Sequence, residues 1–194
     1  VTNAVVISGN AVDVTAALLT PATLVVAATA AVTISDPISA TAVDALALST
    51  TGVVTATITE TDVAAIVGMG NVDVNDVITA AVADVSISAA NLATLVAKVD
   101  TLTLTDDTAA ITVTGTAAAA DVNALAALTT GAVTAEIATG TANAINTALT
   151  NGDPADILTF ELSDTTGANL VDLNALALKT TGAGVIFATT VTAV

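Results

Sequence analysis

The sequence predicts an α/β fold, a parallel solenoid of about seven strand–turn–helix repeats. Three stretches of the chain are nearly the same sequence, namely residues 43–56, 122–135 and 173–188. Ala45 and Ala124 are 79 residues apart, and Ala124 and Ala175 are 51 apart, so both gaps are close to multiples of about 26. A repeat of this size cannot bury its own apolar face, and it is stabilised by packing on its neighbours.

Each repeat combines a helix-forming and a strand-forming segment in a constant order. In the clearest unit a polar turn (112–115) precedes a helix (117–128), and Gly131 stands where a left-handed C-cap glycine is expected. A β-branched strand (132–137) follows. The other predicted helices are 9–19, 36–48, 62–67, 89–99, 141–149 and 165–178, and the other strands are 23–28, 53–59, 101–105, 157–162 and 185–190. Residues 71–83 fit neither pattern clearly.

The constant order implies that the strands run parallel and that the helices form the crossovers between them. The predicted coil is therefore leucine-rich-repeat-like, with a strand ladder on one face and helices on the other. An all-β solenoid, in which the Ala-rich segments are loops, is an alternative, as is a globular α/β domain with decayed repeats. We expect residues 1–194 to form one repeat domain, which is either complete or a segment of a longer chain.

Composition disfavours several classes of function. The chain is 54% hydrophobic but only 1% aromatic, so its core must consist of Ala, Val, Leu and Ile, and we place Phe160 and Phe187 in it. It has no Cys or His, and Lys98 and Lys179 are its only basic side chains, which argues against nucleophilic catalysis and phosphate binding. A net charge of −16 disfavours nucleic acid and anionic membranes as partners. We therefore expect a non-enzymatic protein that does not insert into membranes.

Acidic and amide side chains recur at the predicted turns. Asp44, Asn123 and Asn174 occupy equivalent places in the three best repeats. We expect them to form a ladder that bonds backbone groups, and a row of cation ligands is the alternative. Residues expected to cap helix N-termini are Asp36 (with Pro37 at the first helical position), Asp62, Asp153 (with Pro154) and Asp164.

Two acidic turns are candidates for Ca²⁺, which takes six to eight oxygen ligands. One comprises Asp73, Asn75 and Asp76, and the other comprises Asp106 and Asp107. The first lacks the glycine and the distal glutamate of an EF-hand loop. Neither contains the glycine-rich nonapeptide of calcium β-rolls. The interpretation that we prefer is a solvated turn without a cofactor, and calcium is the only cofactor that the sequence suggests.

Threonines alternate along residues 55–59 and 101–105, where they would share one face of a strand. A flat array of threonines can order water, as in ice-binding solenoids. Threonine is also a common residue on exposed strand faces, and these rows do not recur in every repeat. Ice binding is therefore the second alternative to the main functional hypothesis.

Residues 113–117 (VTGTA) and 163–170 (SDTTGANL) carry a resemblance that extends loosely over most of the chain. They resemble the Ala/Thr/Asp/Val-rich repeats of large secreted surface proteins of marine bacteria and cyanobacteria, including adhesins and RTX-type exoproteins. The resemblance implies an extracellular or cell-surface location and a structural or adhesive role. The missing calcium nonapeptide is a departure from RTX proteins.

The main functional hypothesis is a subunit of a self-assembling extracellular filament, sheath or surface layer. Its partners would be other copies of the same chain. The apolar, β-prone segments 1–7 and 185–194 would add strands to a neighbouring copy. A monomeric spacer module of a giant adhesin is the first alternative.

Overall fold

The computed structural model describes residues 5–22, 28–164, 168–180, 186–187 and 191–192. These residues form helices and strands that pair in parallel, so the predicted α/β class is confirmed. The strands are β1 (Val6–Gly9), β2 (Ala31–Ile34), β3 (Val54–Thr57), β4 (Val77–Val82), β5 (Ser86–Ser88), β6 (Thr101–Leu104), β7 (Ile111–Ala117), β8 (Val133–Gly140), β9 (Ile157–Leu162), β10 (Ala168–Asn169), β11 (Ile186–Phe187) and β12 (Val191–Thr192). The helices are α1 (Ala11–Leu19), α2 (Ala40–Ser49), α3 (Val63–Val67), α4 (Ala89–Lys98), α5 (Ala119–Ala126), α6 (Ala142–Ala148) and α7 (Leu170–Ala177).

The strands form two five-stranded sheets, in the orders β1-β2-β3-β4-β6 and β5-β7-β8-β9-β11, and a β10-β12 pair. Every pairing between named strands in the described residues is parallel. In the first sheet, Val32 pairs with Val54, Thr55 with Val77, and Thr79 with Thr101, an offset of 22 residues each time. The first pairing, of Val6 with Ala31, has an offset of 25, so the repeat length varies along the chain and in most of this sheet is shorter than the predicted period of about 26.

The chain divides into two compact units. The first unit comprises residues 1–83 and 94–105 and contains the sheet from β1 to β6. The second unit comprises residues 84–93 and 106–194 and contains the other two sheets. Helix α4 supplies residues to both units.

The core of each unit lies between its sheet and its helices. In the first unit, Val54 and Ile78 of the sheet and Leu46 of α2 are completely buried. In the second unit, Phe160 is completely buried, as predicted, while the side chain of Phe187 lies outside the described set. Alternate strand residues, many of them Thr, remain on the opposite face of each sheet because side chains alternate along a strand.

Several predicted boundaries were wrong because strands extend further than the sequence indicated. The predicted turn 112–115 belongs to β7, and the helix after it begins at Ala119 rather than at 117. Helix α2 begins at Ala40, not at 36, because Ile38 forms a parallel bridge with Ile58. The ambiguous segment 71–83 contains β4. The predicted strand 23–28 lies almost wholly outside the described residues, as do parts of segments 1–7 and 185–194.

Gly131 is not a left-handed helix cap, contrary to the prediction. Helix α5 ends at Ala126, and among the described residues only Gly115 has a positive φ, of 82°. A Cβ atom on Gly131 would lie 2.3 Å from the carbonyl oxygen of Ala109, and one on Gly52 would lie 2.2 Å from that of Ala30. Glycine is therefore needed at these positions because the backbone of the preceding turn approaches too closely for any side chain.

Candidate functional site

The Thr-Thr-Gly turn at residues 50–52 is bonded to the chain that precedes β2. The hydroxyl of Thr50 donates to the carbonyl of Ala30 at 2.6 Å and accepts from the N–H of Gly52 at 3.0 Å. The N–H of Thr51 donates to the carbonyl of Ala28 at 2.7 Å. These bonds hold one strand–helix repeat against the repeat that precedes it.

The turn at residues 129–131 repeats this arrangement in the second unit. The hydroxyl of Thr129 donates to the carbonyl of Ala109 at 2.9 Å and accepts from Gly131 N–H at 2.8 Å. The N–H of Thr130 donates to the carbonyl of Asp107 at 2.6 Å. The Thr-Thr-Gly segment of the sequence repeat therefore bonds one strand–helix repeat to the repeat before it.

A second type of turn places a buried carboxylate before the strand. Asp76 is 7% exposed, and its carboxylate accepts from the N–H of Val54 at 2.7 Å and from that of Asp73 at 3.0 Å. The same side chain was a calcium candidate in the sequence. In the structure, Asp76 stands directly before β4 and bonds the N–H of Val54, the first residue of the preceding strand β3.

Asp156 occupies the equivalent place in the second unit. It is 3% exposed and accepts from the N–H of Val133 at 2.8 Å and from that of Asp153 at 3.1 Å. Burial raises the pKa of the Asp156 carboxyl above its ordinary value. Sequence reasoning missed this residue and placed Asp153 and Pro154 before a helix, whereas they precede strand β9. The signal was available, because residues 71–76 and 151–156 share the pattern Asn-x-Asp-x-x-Asp.

Asp44 and Asn123 bond backbone groups of the next turn, as the ladder interpretation predicted. The carboxylate of Asp44 accepts from the N–H of Asn71 at 2.6 Å and from its side-chain amide at 2.9 Å. The amide oxygen of Asn123 accepts from the N–H of Asn151 at 2.7 Å. Both side chains therefore position the start of an Asn-x-Asp-x-x-Asp turn.

The calcium candidates lie in two turns that belong to different units. In the first, Asp73 accepts from both the N–H and the side-chain amide of Asn75, which is exposed. In the second, Asp106 accepts from the hydroxyl and the N–H of Thr108, which lower the pKa of Asp106 in that order of importance. Asp107 is exposed beside it. Across the described ranges no three acidic side chains are grouped so that they could hold a metal, and calcium binding stays a prediction.

Acidic residues cap helices of the preceding turn rather than their own. Asp36 accepts from the N–H of Ala11 at 2.6 Å, at the start of α1. Asp164 accepts in the same way from Ala142 at 2.9 Å, at the start of α6. Both were predicted to cap the helix that follows them in sequence. Among the described residues that were predicted to be N-caps, only Asp62 caps the helix that follows it. Its carboxylate accepts from the N–H of Ala65 in α3 at 2.9 Å.

Glu60 is a third acid of this kind and gives a prediction on pH. It accepts from the N–H of Ala40 at 2.9 Å and from the hydroxyl of Thr59 at 3.0 Å. Burial, the largest single effect, raises the pKa of Glu60, but the hydrogen bonds from Ala40, from the N–H of Glu60 itself and from Thr59 together outweigh it, and the net pKa is lowered. A lowered pKa means that Glu60 stabilises the fold above its unfolded-state pKa and loses this contribution as pH falls through its folded-state pKa.

We therefore expect the stability difference between the wild type and Glu60→Gln to shrink as pH falls from 7 to 3. Urea unfolding at a series of pH values measures it. Glu161→Gln removes the same charge from an exposed strand position and controls for net charge. A difference between wild type and Glu60→Gln that is independent of pH would contradict the prediction.

Both lysines bond carbonyl groups at the C-terminal end of a helix in the preceding turn. The ammonium of Lys98 donates to the carbonyl of Met69, just beyond α3. That of Lys179 donates to Asn146 at 2.9 Å and to Leu149, at the end of α6. Burial lowers the pKa of Lys179. The acids and the lysines thus complement opposite ends of the helix dipoles.

Comparison of the chain with protein-family models, with curated proteins and with solved structures gave no significant match. No helix in the described ranges combines the length and the apolar character that a bilayer crossing requires. Every buried side-chain nitrogen or oxygen in those ranges has a hydrogen-bond partner. The polar groups described above therefore have structural roles that account for their positions.

Proposed function

We propose that the chain is a non-enzymatic structural module, a parallel solenoid of strand–helix turns that assembles with copies of itself outside the cell. The observation that carries the proposal is the repetition of polar contacts between successive strand–helix repeats. In most of them, a side chain of a later repeat bonds a backbone group 20–33 residues earlier. Asp44 and Asn123 make the reverse contact, to backbone groups 27 and 28 residues later. Repetition of one interface along a chain is the defining property of a solenoid.

The first turn provides the surface for assembly. Among the described strands, β1 lies at the edge of its sheet, and Val6 is 62% exposed. On α1, Val12 is 76% exposed beside a shallow, mostly apolar hollow of about 420 Å³. Inside the chain, the equivalent strand and helix faces are covered by the neighbouring strand–helix repeat. A strand–helix repeat of a second copy is therefore the partner that fits the exposed face of β1 and α1.

Net charge determines when copies can associate. At −16, like-charged copies repel one another at low ionic strength. The Debye length falls from about 10 Å at 0.1 M salt to about 3 Å at 1 M, which screens this repulsion. Association should therefore increase with salt. The extracellular location is supported by the resemblance to secreted surface repeats.

Light scattering of the 194-residue protein at increasing NaCl concentration tests assembly. We expect the molar mass of the wild type to rise with salt and that of Val12→Lys to stay at the monomer value. Val74→Lys is the matched control, because Val74 is 82% exposed in the turn before β4 and is remote in sequence from the edge. It should assemble like the wild type.

Two outcomes would contradict the assembly proposal. A wild type that stays monomeric at every salt concentration would favour the spacer module of an adhesin instead. Assembly of Val12→Lys at the wild-type salt concentration would place the contact away from α1. Circular dichroism of each variant establishes that it is folded before its mass is interpreted.

A further inference from the structure

The outward face of the sheet in the first unit carries a regular array of hydroxyl groups. We name it the threonine face, and it consists of the strand residues that alternate with the buried ones. Its members are Val6, Ser8, Ala31, Thr33, Thr55, Thr57, Val77, Thr79, Ala81, Thr101 and Thr103. All of them are exposed or half-buried.

The strand register aligns these residues in rows across the sheet. One row joins Ser8, Thr33, Thr55 and Val77. The next row joins three threonines, and its members are Thr57, Thr79 and Thr101. Neighbours within a row are about 4.8 Å apart, and rows follow each other at about 6.6 Å along a strand. The sequence suggested that threonine rows were interrupted, but the register brings threonines from different repeats into line.

The threonine face carries no charged residue, although the chain has a net charge of −16. The corresponding face of the second unit differs in two ways. It contains Glu136 and Glu161, both exposed. Its register also shifts between Thr112 and Thr116, around Gly115. An uncharged hydroxyl array in continuous strand register is thus a property of the first unit.

We propose that the threonine face binds ice. Each threonine offers one hydroxyl donor, two acceptor lone pairs and one methyl group on a stiff β-branched side chain. Rows of such groups at fixed spacings in two directions can hold water molecules in a fixed lattice, whereas carboxylates would impose their own hydration. Thr103 donates to the carbonyl of Ala80 at 3.4 Å and keeps its acceptor positions. This activity does not depend on self-assembly, because it needs only one sheet.

Partition of the fluorescently labelled protein into slowly growing ice tests the proposal, with thermal hysteresis as a second readout. We expect the wild type to be incorporated into the ice and to shape its crystals. Thr57→Lys, in the middle of the array, should be excluded from the ice because its long charged side chain holds the face away from the lattice. Thr57 is exposed, so the fold should tolerate the change.

Thr114→Lys is the control, since Thr114 is an exposed threonine on β7 in the second unit. It should partition like the wild type. Exclusion of the wild type from ice, to the level of a protein that does not bind ice, would overturn the proposal. Equal incorporation of Thr57→Lys and wild type would overturn it too, since binding would then use another surface. Matching melting curves for the three proteins verify that folding is unaffected.

Discussion

Gly52→Ala is expected to destabilise the first unit by about 3 kcal/mol, the upper end of the cost of overpacking. The new Cβ would lie 2.2 Å from the carbonyl oxygen of Ala30 and 2.8 Å from the nitrogen of Ala31. Both atoms belong to the backbone at the start of β2, which cannot move without breaking its pairing with β1 and β3. The equivalent Gly131→Ala should weaken the second unit in the same way.

Differential scanning calorimetry measures this effect, since 1 kcal/mol corresponds to roughly 4–8 °C in the Tm of a domain of 60–100 residues. Gly70→Ala is the control in the same unit. No atom lies within 4 Å of a Cβ at Gly70, and its φ is not positive, so the change should stay within about 0.5 kcal/mol of zero. Equal melting temperatures for Gly52→Ala and Gly70→Ala would show that the close approach has no energetic consequence.

Asp156→Ala is expected to cost about 2 kcal/mol. The substitution leaves the N–H groups of Val133 and Asp153 without their acceptor, and Val133 is completely buried. Burial of the charged carboxylate, which raises the pKa of Asp156, offsets part of the hydrogen-bond contribution. We therefore expect Asp156→Ala to lower the free energy of unfolding by less than the loss of two fully effective charged hydrogen bonds would.

Chemical denaturation of Asp156→Ala beside Asp107→Ala measures the difference. Asp107 is exposed in the same unit, so its substitution removes an equal charge without a buried acceptor. Asp156→Asn keeps one acceptor oxygen and should lose less stability than Asp156→Ala. If Asp156→Ala and Asp107→Ala unfold at the same denaturant concentration, the buried carboxylate does not stabilise the turn.

Repetition in the sequence was sufficient to predict alternating parallel strands and helices. Helix α4, for example, ends within one residue of its predicted boundary, and strand β9 matches the predicted 157–162. Helix formers and β-branched residues determine local structure, and this information is contained in each segment. The Ala-rich segments form helices in the structure, so the all-β alternative was wrong.

The roles of the polar residues were predicted less well. Asp36 and Asp164 stand before helices in sequence, but their carboxylates cap helices of the preceding turn. Glu60 and Asp156 were not singled out at all. A capping residue can be recognised from sequence only when its partner is a few positions away, and here the partners are 20–25 residues distant.

The sequence by itself determined the class of the fold, the presence of repeats that each contribute strand and helix, and the scarcity of groups that could support catalysis. Only the tertiary structure decided which side chains meet between turns, why Gly52 and Gly131 must be glycine, and that threonines of separate repeats align in rows. The physical reason is that propensity acts within one segment, whereas strand register and close backbone approach arise when segments stack.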